Sequence, residues 1–266
     1  MHVLEMFNLK GKVALVTGGA GNFGAGSYGH QMVEGLAEAG ATVWTASRSL
    51  DKNESYAAML REKGLDVHAG SFDQTSEESC RALFDAMIAK HGKVDILVNN
   101  SVARHKGGFY KSEEVLNQSF AANATGLIVI TRIFGDHMAE RGSGSIINIG
   151  SYMGDLGCNE ALYEGCPHIS SIGAVDYYFY KGGMHNLTRF MASRYGPKGV
   201  RCNCLSLGGL FNNQPEPFLE AYSKATFLGR MAGPEDIKGA IVYLASDASA
   251  YLTGAVIPID GGYSAK

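Results

Sequence analysis

Short apolar runs alternate with longer stretches of helical periodicity along the whole chain. Seven runs are rich in β-branched residues and nearly continuous in apolar character, which is typical of strands covered on both faces. They span residues 13–17, 42–46, 65–69, 94–99, 146–149, 200–205 and 256–259. Between them, stretches with helical spacing predict helices, several of which end at glycine. These stretches include residues 30–39, 76–91, 113–122, 126–141, 178–195 and 234–245.

Strands that alternate with helices predict an α/β fold, in which a doubly wound parallel sheet of seven strands has helices on both faces. We expect a single domain over residues 1–266, because no linker, repeat or low-complexity segment divides the chain. Ligands of such sheets bind beyond the carboxyl ends of the strands. Residues 154–176 have no clear period and are too long for an idle connection, so they predict a functional loop.

Composition and charge exclude several classes of function. The 266 residues are 45% hydrophobic and 18% charged, and 23 Lys and Arg against 26 Asp and Glu leave a net charge of −3. This balance provides no electrostatic footprint for nucleic acid or an anionic membrane. With no apolar run of the roughly 20 residues that span a bilayer and no signal peptide, we expect a cytoplasmic protein. Five irregularly spaced cysteines predict buried thiols rather than a metal site.

A glycine-rich segment lies directly between the first predicted strand and the first predicted helix. Its sequence is Thr17-Gly18-Gly19-Ala20-Gly21-Asn22-Phe23-Gly24. Glycine allows a sharp turn here and brings backbone N–H groups against a pyrophosphate, while the helix N-terminus points at its charge. Glycine alone is equally typical of an ordinary turn. The position within a βα repeat is what favours a dinucleotide.

The end of the second predicted strand, Ala46-Ser47-Arg48, bears on which dinucleotide is bound. A site for NAD normally has Asp or Glu here to bind the ribose 2′-hydroxyl, whereas a small polar residue followed by Arg suits a 2′-phosphate. Ser47 and Arg48 therefore favour NADP(H) over NAD(H), although Arg48 is also typical of a solvated side chain. Phe72 and Asp73 follow the third strand and are candidates to border the adenine, but Asp is also common there as a helix cap.

A tyrosine and a lysine four residues apart are the most specific chemical feature. Tyr177 and Lys181 would share one face of a helix, so their tips can meet at one reacting atom. The spacing alone is also typical of an aromatic core stripe with a surface lysine. Ser151, however, follows the fifth strand, where open sheets bind substrates, and Asn123 lies upstream. Asn123, Ser151, Tyr177 and Lys181 are therefore candidates for one site.

Taken together, these motifs resemble the short-chain dehydrogenases/reductases, a family of Rossmann-fold oxidoreductases. The resemblance covers nearly the whole chain. Besides the glycine-rich turn and the four catalytic candidates, it rests on Asn99-Asn100, Gly229-Arg230-Met231-Ala232-Gly233-Pro234-Glu235-Asp236, Leu244-Ala245-Ser246-Asp247, Leu252-Thr253-Gly254 and Asp260-Gly261-Gly262.

The resemblance implies that the protein interconverts a secondary alcohol and a ketone, with hydride transfer to or from nicotinamide. A free tyrosine, with a pKa of about 10, is a poor base near neutral pH. Lys181 and the charge of the oxidised nicotinamide would stabilise the ionised phenol of Tyr177, and Lys181 would also bind the nicotinamide ribose. Ser151 would polarise the substrate oxygen, and Asn123 would anchor a water that relays protons to Lys181.

The chain also departs from the family's cofactor motifs. Asn22 stands where glycine is usual, about five extra residues precede the first helix, and Ser101-Val102 and Leu207 replace the usual Ala-Gly and Pro. The candidate cofactor residues are Gly18, Gly21, Asn22, Phe23, Gly24, Ser47, Arg48, Phe72, Asp73, Asn99, Tyr177, Lys181, Gly208 and Leu210.

Residues 154–176 lengthen the interval between the catalytic serine and tyrosine by roughly a dozen residues, which costs little in loop-closure entropy. Tyr163, Glu164 and His168 in this insertion suit hydroxyls and charges rather than an acyl tail. The segment Tyr163-Glu164-Gly165 and the later Asn213-Gln214-Pro215-Glu216-Pro217-Phe218 resemble family members that act on sugars and sugar acids. The alternative is that the segment packs on a neighbouring subunit and that His168 is structural.

Arg104 lies in a short basic cluster, Arg104-His105-Lys106, after the fourth strand. It is a candidate for binding an anionic substrate, and a solvated loop is the alternative.

Two other functions stay open at this point. A 3-oxoacyl thioester reductase would need an apolar groove and a basic entry for a phosphorylated carrier, and the sequence has no such basic helix. A non-catalytic dinucleotide-binding sensor or scaffold is the alternative of another class, and an intact catalytic set argues against it. The resemblance also implies a homotetramer or homodimer that acts on a small molecule, without nucleic acid, membrane or metal.

Overall fold

The computed structural model describes residues 2–21, 27–105, 108–166 and 175–265. In these ranges seven parallel strands form one sheet, in the order β3-β2-β1-β4-β5-β6-β7. The strands are β1 (Val13–Thr17), β2 (Thr42–Ser47), β3 (Val67–Ser71), β4 (Ile96–Asn99), β5 (Gly144–Ser151), β6 (Val200–Leu207) and β7 (Val256–Ile259). The predicted doubly wound sheet is therefore confirmed. Its strand order reverses between β1 and β4, which opens a crevice at their carboxyl ends.

Helices cover both faces of the sheet. In the described ranges they are α1 (Tyr28–Glu38), α2 (Leu50–Glu62), α3 (Glu77–His91), α4 (Glu113–Phe120), α5 (Leu127–Arg141), α6 (Val175–Tyr195), α7 (Glu216–Ala225) and α8 (Lys238–Ala245). One turn of π-helix, Ala121–Gly126, joins α4 to α5. None of these helices is long and apolar enough to cross a bilayer.

Two apolar clusters hold the layers together. Successive residues of β1 point to opposite faces, so Ala14 and Val16 pack with α1, α2 and α8, while Val13 and Leu15 pack with α3, α5 and α6. Both faces of the strand are fully buried. This two-sided burial explains why the strands are nearly continuous apolar runs rather than alternating ones.

Some predicted boundaries shift for identifiable reasons. Strands β5 and β6 each run two residues further, because their pairing continues to Ser151 opposite Leu207. Strand β3 moves from residues 65–69 to Val67–Ser71 at the edge of the sheet, where half-exposed side chains weaken the apolar pattern. Helix α8 begins at Lys238 rather than at residue 234, because Asp236 accepts hydrogen bonds from Gly233 N and from Arg230 and holds a turn.

The cysteine prediction is confirmed at four positions. The thiols of Cys80, Cys166, Cys202 and Cys204 are buried and free. Burial raises the pKa of the Cys204 thiol to about 11, which makes it unreactive near neutral pH. Cys158 is exposed, so the prediction was wrong there.

Candidate active site

The turn from β1 into α1 is braced by a glycine that the sequence analysis did not assign. A Cβ on Gly29 would lie 2.7 Å from the carbonyl oxygen of Gly19 and 3.0 Å from that of Gly18. Only glycine therefore lets the first turn of α1 pack on this loop, which is the role of the last glycine in a dinucleotide-binding turn. Asn22, Phe23 and Gly24 lie outside the described residues. The signal that could have located Gly29 is the five-residue offset before α1.

The same turn is held from the neighbouring strand by Asn100. Its backbone N–H donates to Thr17 Oγ1 at 3.0 Å, and its side-chain amide donates to the carbonyl oxygens of Thr17 at 2.9 Å and Gly18 at 3.2 Å. Gly18 has a φ of +65°, which favours glycine. Asn99 faces the other way, because its amide donates to Thr131 and Asn148 inside the sheet at 2.9 Å each. Asn100 is thus the asparagine that shapes the turn, while any contact of Asn99 with a cofactor stays a prediction.

The candidate ribose site lies where β2 and β3 end. Ser47 Oγ donates to Asn53 Oδ1 at 3.1 Å, and Arg48 is exposed. Asp73 acts as a cap, because its Oδ1 accepts from both N and Oγ1 of Thr75, and these bonds hold the pKa of Asp73 below its usual value. Phe72 is buried in the core, so its side chain supports the sheet edge and its adenine contact stays a prediction.

Tyr177 and Lys181 lie on the first two turns of α6, at the carboxyl end of the sheet. The Lys181 side chain is buried, donates to the carbonyl oxygen of Ile149, and places its ammonium 5.5 Å from the Tyr177 ring centroid. Ile149 lies in β5, two residues before Ser151. The hydrogen bond from Lys181 therefore ties the tyrosine-bearing helix to the strand that carries the serine. Ser151 Oγ accepts from Met153 N at 3.2 Å and caps the turn that follows.

A second cation lies against the same tyrosine. The guanidinium carbon of Arg104 is 5.6 Å from the Tyr177 ring centroid, a cation–π contact. Tyr177 is partly exposed and Arg104 is exposed, so this contact lies at the surface of the protein rather than in the core. The structure thus brings Arg104 to the catalytic candidates, which the basic cluster in the sequence could only suggest.

Asn123 occupies the π-helical turn between α4 and α5 and is 3% exposed. Its Oδ1 accepts from Ala103 N and its Nδ2 donates to Ala103 O, both at 2.8 Å. Nδ2 also donates to Ser119 Oγ at 3.2 Å. Single π-helical turns occur often at functional sites. Here the turn aims Asn123 at the loop that carries Arg104.

Tyr28, the first residue of α1, connects this helix to the loop after β6. Its hydroxyl donates to the carbonyl oxygen of Gly208 at 3.2 Å, just past β6. Burial raises the pKa of Tyr28 above its ordinary value, which keeps the hydroxyl protonated as a donor. Leu210, two residues further on, forms a backbone bridge with Ala232. Tyr28 followed the predicted glycine signature, but nothing in the pattern indicated this contact.

An apolar cluster rich in aromatic side chains lies beside the loop after β6. It comprises Tyr152, Leu162, Cys166, Phe218, Tyr222, Met231 and Tyr263. Tyr163 joins it with its ring centroid 5.3 Å from that of Phe218, while Glu164 is exposed. His168 lies outside the described residues. Tyr222 belongs to no motif in the sequence, yet its hydroxyl accepts from Gly209 N at 2.5 Å and so holds the loop after β6.

A family model described as "Enoyl-(Acyl carrier protein) reductase" matches residues 24–264 of the chain. The chain belongs to the short-chain dehydrogenase/reductase family. It is accordingly an NAD(P)-dependent oxidoreductase that acts on CH–OH groups.

Relatives in this family differ in their substrates. A D-threitol dehydrogenase of Mycolicibacterium smegmatis is 32% identical and aligns over 98% of this chain and 95% of its own. A 7alpha-hydroxysteroid dehydrogenase of Bacteroides fragilis is 28% identical over 97% and 96%. The solved structure of a gluconate 5-dehydrogenase from Burkholderia cenocepacia J2315, in complex with NADP and tartrate, is 28% identical, covers 100% of both chains and superposes with a TM-score of 0.87.

The described residues fit the nicotinamide dinucleotide that this family uses. A Cβ on Gly18 would meet Ser101 Oγ at 2.9 Å and one on Gly29 would meet the Gly19 carbonyl oxygen at 2.7 Å, so this turn is packed as tightly as a dinucleotide-binding turn requires. Arg48 stands exposed at the end of β2, without a hydrogen bond or ion pair to another described residue. No group of three or more His, Cys, Asp or Glu side chains in the described ranges could hold a metal ion.

Proposed function

We propose that the chain is an NADP-preferring dehydrogenase that interconverts a secondary alcohol and a ketone on a small, polar, carbohydrate-derived substrate, with sugar acids preferred. The observation that carries the proposal is the position of the Arg104 guanidinium, 5.6 Å from the Tyr177 ring centroid at the mouth of the site. A carboxylate bound there would meet a charged donor capable of bidentate hydrogen bonds beside the reacting phenol. The relatives named for a polyol and for gluconate support this substrate class.

In the proposed reaction Tyr177 moves the proton. It accepts the hydroxyl proton of the alcohol during oxidation and returns it during reduction. The ammonium of Lys181, held by Ile149 O, lies 5.5 Å from the Tyr177 ring centroid and so places a positive charge beside the phenol. The hydroxyl of Ser151 orients and polarises the substrate oxygen, and Asn123 anchors the water that connects Lys181 to solvent.

When bound, the nicotinamide supplies the hydride acceptor for oxidation or the hydride donor for reduction. The turn at Gly18, Gly21 and Gly29 would hold its pyrophosphate, with the N-terminus of α1 facing the charge. Arg48 and Ser47 would bind a ribose 2′-phosphate, and the exposed guanidinium of Arg48 supports NADP over NAD. Lys181 would bind the nicotinamide ribose, and the backbone at Gly208 and Leu210 would border the ring.

The substrate would bind beside residues 154–166 and the loop after β6. Tyr163 and the neighbouring aromatic side chains form a wall against which a sugar ring can pack, and Glu164 is free to bind hydroxyls. A homotetramer or homodimer and a cytoplasmic location stay predictions. A 3-oxoacyl thioester reductase is not favoured, since the relatives are named for polyols, sugar acids and hydroxysteroids.

The proposal is tested by incubating the purified protein with NADP or NAD and a panel of aldonic acids, polyols and a 7α-hydroxysteroid, while the absorbance of the reduced nicotinamide is followed. We expect the highest kcat/KM for an aldonic acid with NADP, at least about tenfold above NAD, since one charge-assisted contact contributes about 1.5–3 kcal/mol. Turnover of the hydroxysteroid alone would overturn the substrate class. Binding of NADP with turnover of none of the classes would favour the non-catalytic alternative.

Arg104→Gln separates carboxylate recognition from catalysis. We expect the variant to raise the KM for aldonic acids by about ten- to a hundredfold, because a charged hydrogen bond of about 1.5–3 kcal/mol is lost, and to leave the KM for polyols within about twofold. Steady-state kinetics with both substrates measures this. Arg81→Gln, which removes a guanidinium that pairs with Glu77 on the surface of α3, is the control and should change neither KM. An unchanged KM for acids in Arg104→Gln would contradict the role of Arg104.

A further inference from the structure

We infer that Asp176, with Lys111 and Ser119, is a positioning residue that holds the first turn of α6, and with it Tyr177, in place relative to Asn123 and Arg104. The inference rests on the proposed roles of Tyr177 and Asn123 and adds residues that the catalytic set does not include. Asp176 and Lys111 are not among the proposed reacting groups. They would act through the side chains and backbone that they hold.

A continuous chain of hydrogen bonds connects these residues. Lys111 Nζ donates to Asp176 Oδ1 at 2.5 Å, and Ser119 Oγ donates to Asp176 Oδ2 at 2.6 Å. Ser119 Oγ in turn accepts from Asn123 Nδ2 at 3.2 Å. Asn123 clamps the backbone of Ala103 from both sides at 2.8 Å.

Both ends of this series of hydrogen bonds lie next to Tyr177. Asp176 precedes Tyr177 on α6, and Ala103 precedes Arg104, whose guanidinium lies 5.6 Å from the Tyr177 ring centroid. The loop after β4, the turn that carries Asn123, helix α4 and helix α6 are thereby joined in one ring. A displacement of any one element would move Tyr177 relative to the other side chains of the site.

Only a carboxylate at position 176 satisfies this arrangement. Lys111 and Ser119 both present donors to Asp176, one to each oxygen. An asparagine there has a single acceptor oxygen, so its NH₂ group must face either the ammonium, which breaks the link to Lys111, or the hydroxyl, which forces Ser119 to accept instead of donate. Because Ser119 must donate to Asp176, its oxygen is free to accept the second N–H of Asn123.

The cost of this ion pair indicates a positional role. The side chains of Lys111 and Asp176 are only 3% and 4% exposed. The free energy needed to remove two charges from water commonly exceeds the stabilisation from their mutual attraction. Burial opposes ionisation of Asp176, but the hydrogen bonds from Lys111 and Ser119 outweigh it and hold the pKa of Asp176 below its usual value. The carboxylate therefore stays charged across the working pH range, and it can keep its hydrogen bonds to Lys111 and Ser119.

The first test measures how firmly Asn123 holds the backbone of Ala103, without using activity. In Asp176→Asn and Ser119→Ala, Asn123 loses support, so the N–H of Ala103, which donates to Asn123 Oδ1, should exchange with deuterium about five- to tenfold faster, the equivalent of one hydrogen bond. Residue-resolved hydrogen exchange by mass spectrometry measures this. Ser119→Ala keeps the ion pair and serves if Asp176→Asn folds poorly. Unchanged exchange at Ala103 in both variants would overturn the inference.

The second test uses kinetics. Both variants should lower kcat about ten- to a hundredfold, as small misplacements of reacting groups do, while the KM for NADP stays within about twofold. If Asp176 acts through Ser119, the double variant should lose no more kcat than Asp176→Asn alone. Independent, multiplicative losses would contradict that route.

Asp95→Asn is the matched control. Asp95 is also a buried aspartate paired with two cations, Lys93 at 3.0 Å and Arg141 at 3.4 Å, but it lies at the amino ends of the strands. It should lower thermal stability without changing kcat or exchange at Ala103. An equal loss of kcat in Asp95→Asn would show that destabilisation alone accounts for the effect and would overturn the inference.

The two proposals fail separately. If Tyr177→Phe were active, the proposed function would be wrong, while exchange at Ala103 would still test the positioning role of Asp176. If Tyr177→Phe were inactive but Asp176→Asn kept the wild-type kcat and the wild-type exchange at Ala103, only the positioning role of Asp176 would be overturned.

Discussion

Tyr177→Phe should lower kcat by about a thousandfold or more and leave the Kd for NADP nearly unchanged. The substitution removes only the hydroxyl that takes and returns the substrate proton, and a positioned general acid–base group contributes about 10²–10⁴-fold. The aromatic ring remains between Lys181 and Arg104, so both cation–π contacts persist. Steady-state kinetics, with isothermal titration of the cofactor, measures both quantities.

Tyr195→Phe is the control for this variant. Tyr195 lies at the far end of the same helix, and its hydroxyl donates to Asp136 Oδ1 at 2.9 Å. Its loss should cost about 1 kcal/mol in the free energy of unfolding and leave kcat unchanged. If instead Tyr177→Phe kept a kcat close to that of the wild type, the proton-transfer role of Tyr177 would be wrong.

Gly29→Ala is the second substitution with a large expected effect. The added Cβ would meet the Gly19 carbonyl oxygen at 2.7 Å and the Gly18 carbonyl oxygen at 3.0 Å, and both are backbone atoms that no rotamer change can move. The first turn of α1 must therefore shift away from the loop that would bind the pyrophosphate. We expect the Kd for NADP to rise at least about tenfold and the unfolding free energy to fall by about 1–3 kcal/mol, as overpacking does. Isothermal titration and denaturant unfolding measure these changes.

Gly239→Ala provides the matched comparison. Gly239 lies in α8, is exposed, and has nothing within 4 Å of where its Cβ would be. Here alanine should raise the unfolding free energy by up to about 1 kcal/mol, because glycine is a poor helix former. Binding of NADP by Gly29→Ala with wild-type affinity would show that the turn does not need glycine at this position.

Features with a local period could be predicted from the sequence. The buried strands are visible as apolar runs, because each needs apolar side chains on both faces, and strand β7 was predicted to the residue. Helix α2 escaped prediction although its buried residues, Asn53, Tyr56, Ala57 and Leu60, follow a helical spacing. Asn and Ala are weak apolar signals, so the stripe does not stand out from the charged residues around it.

By itself, the sequence determined the doubly wound α/β architecture and the pairing of Tyr177 with Lys181, since both depend on the repeat of a strand or helix over a few residues. The tertiary structure alone decided which distant loops meet. It brought Arg104 to the face of Tyr177, packed Gly29 against the turn after β1, and joined Lys111 to Asp176 across 65 positions. Such contacts have no period along the chain, because they arise only when parallel strands deliver separate loops to one edge of the sheet.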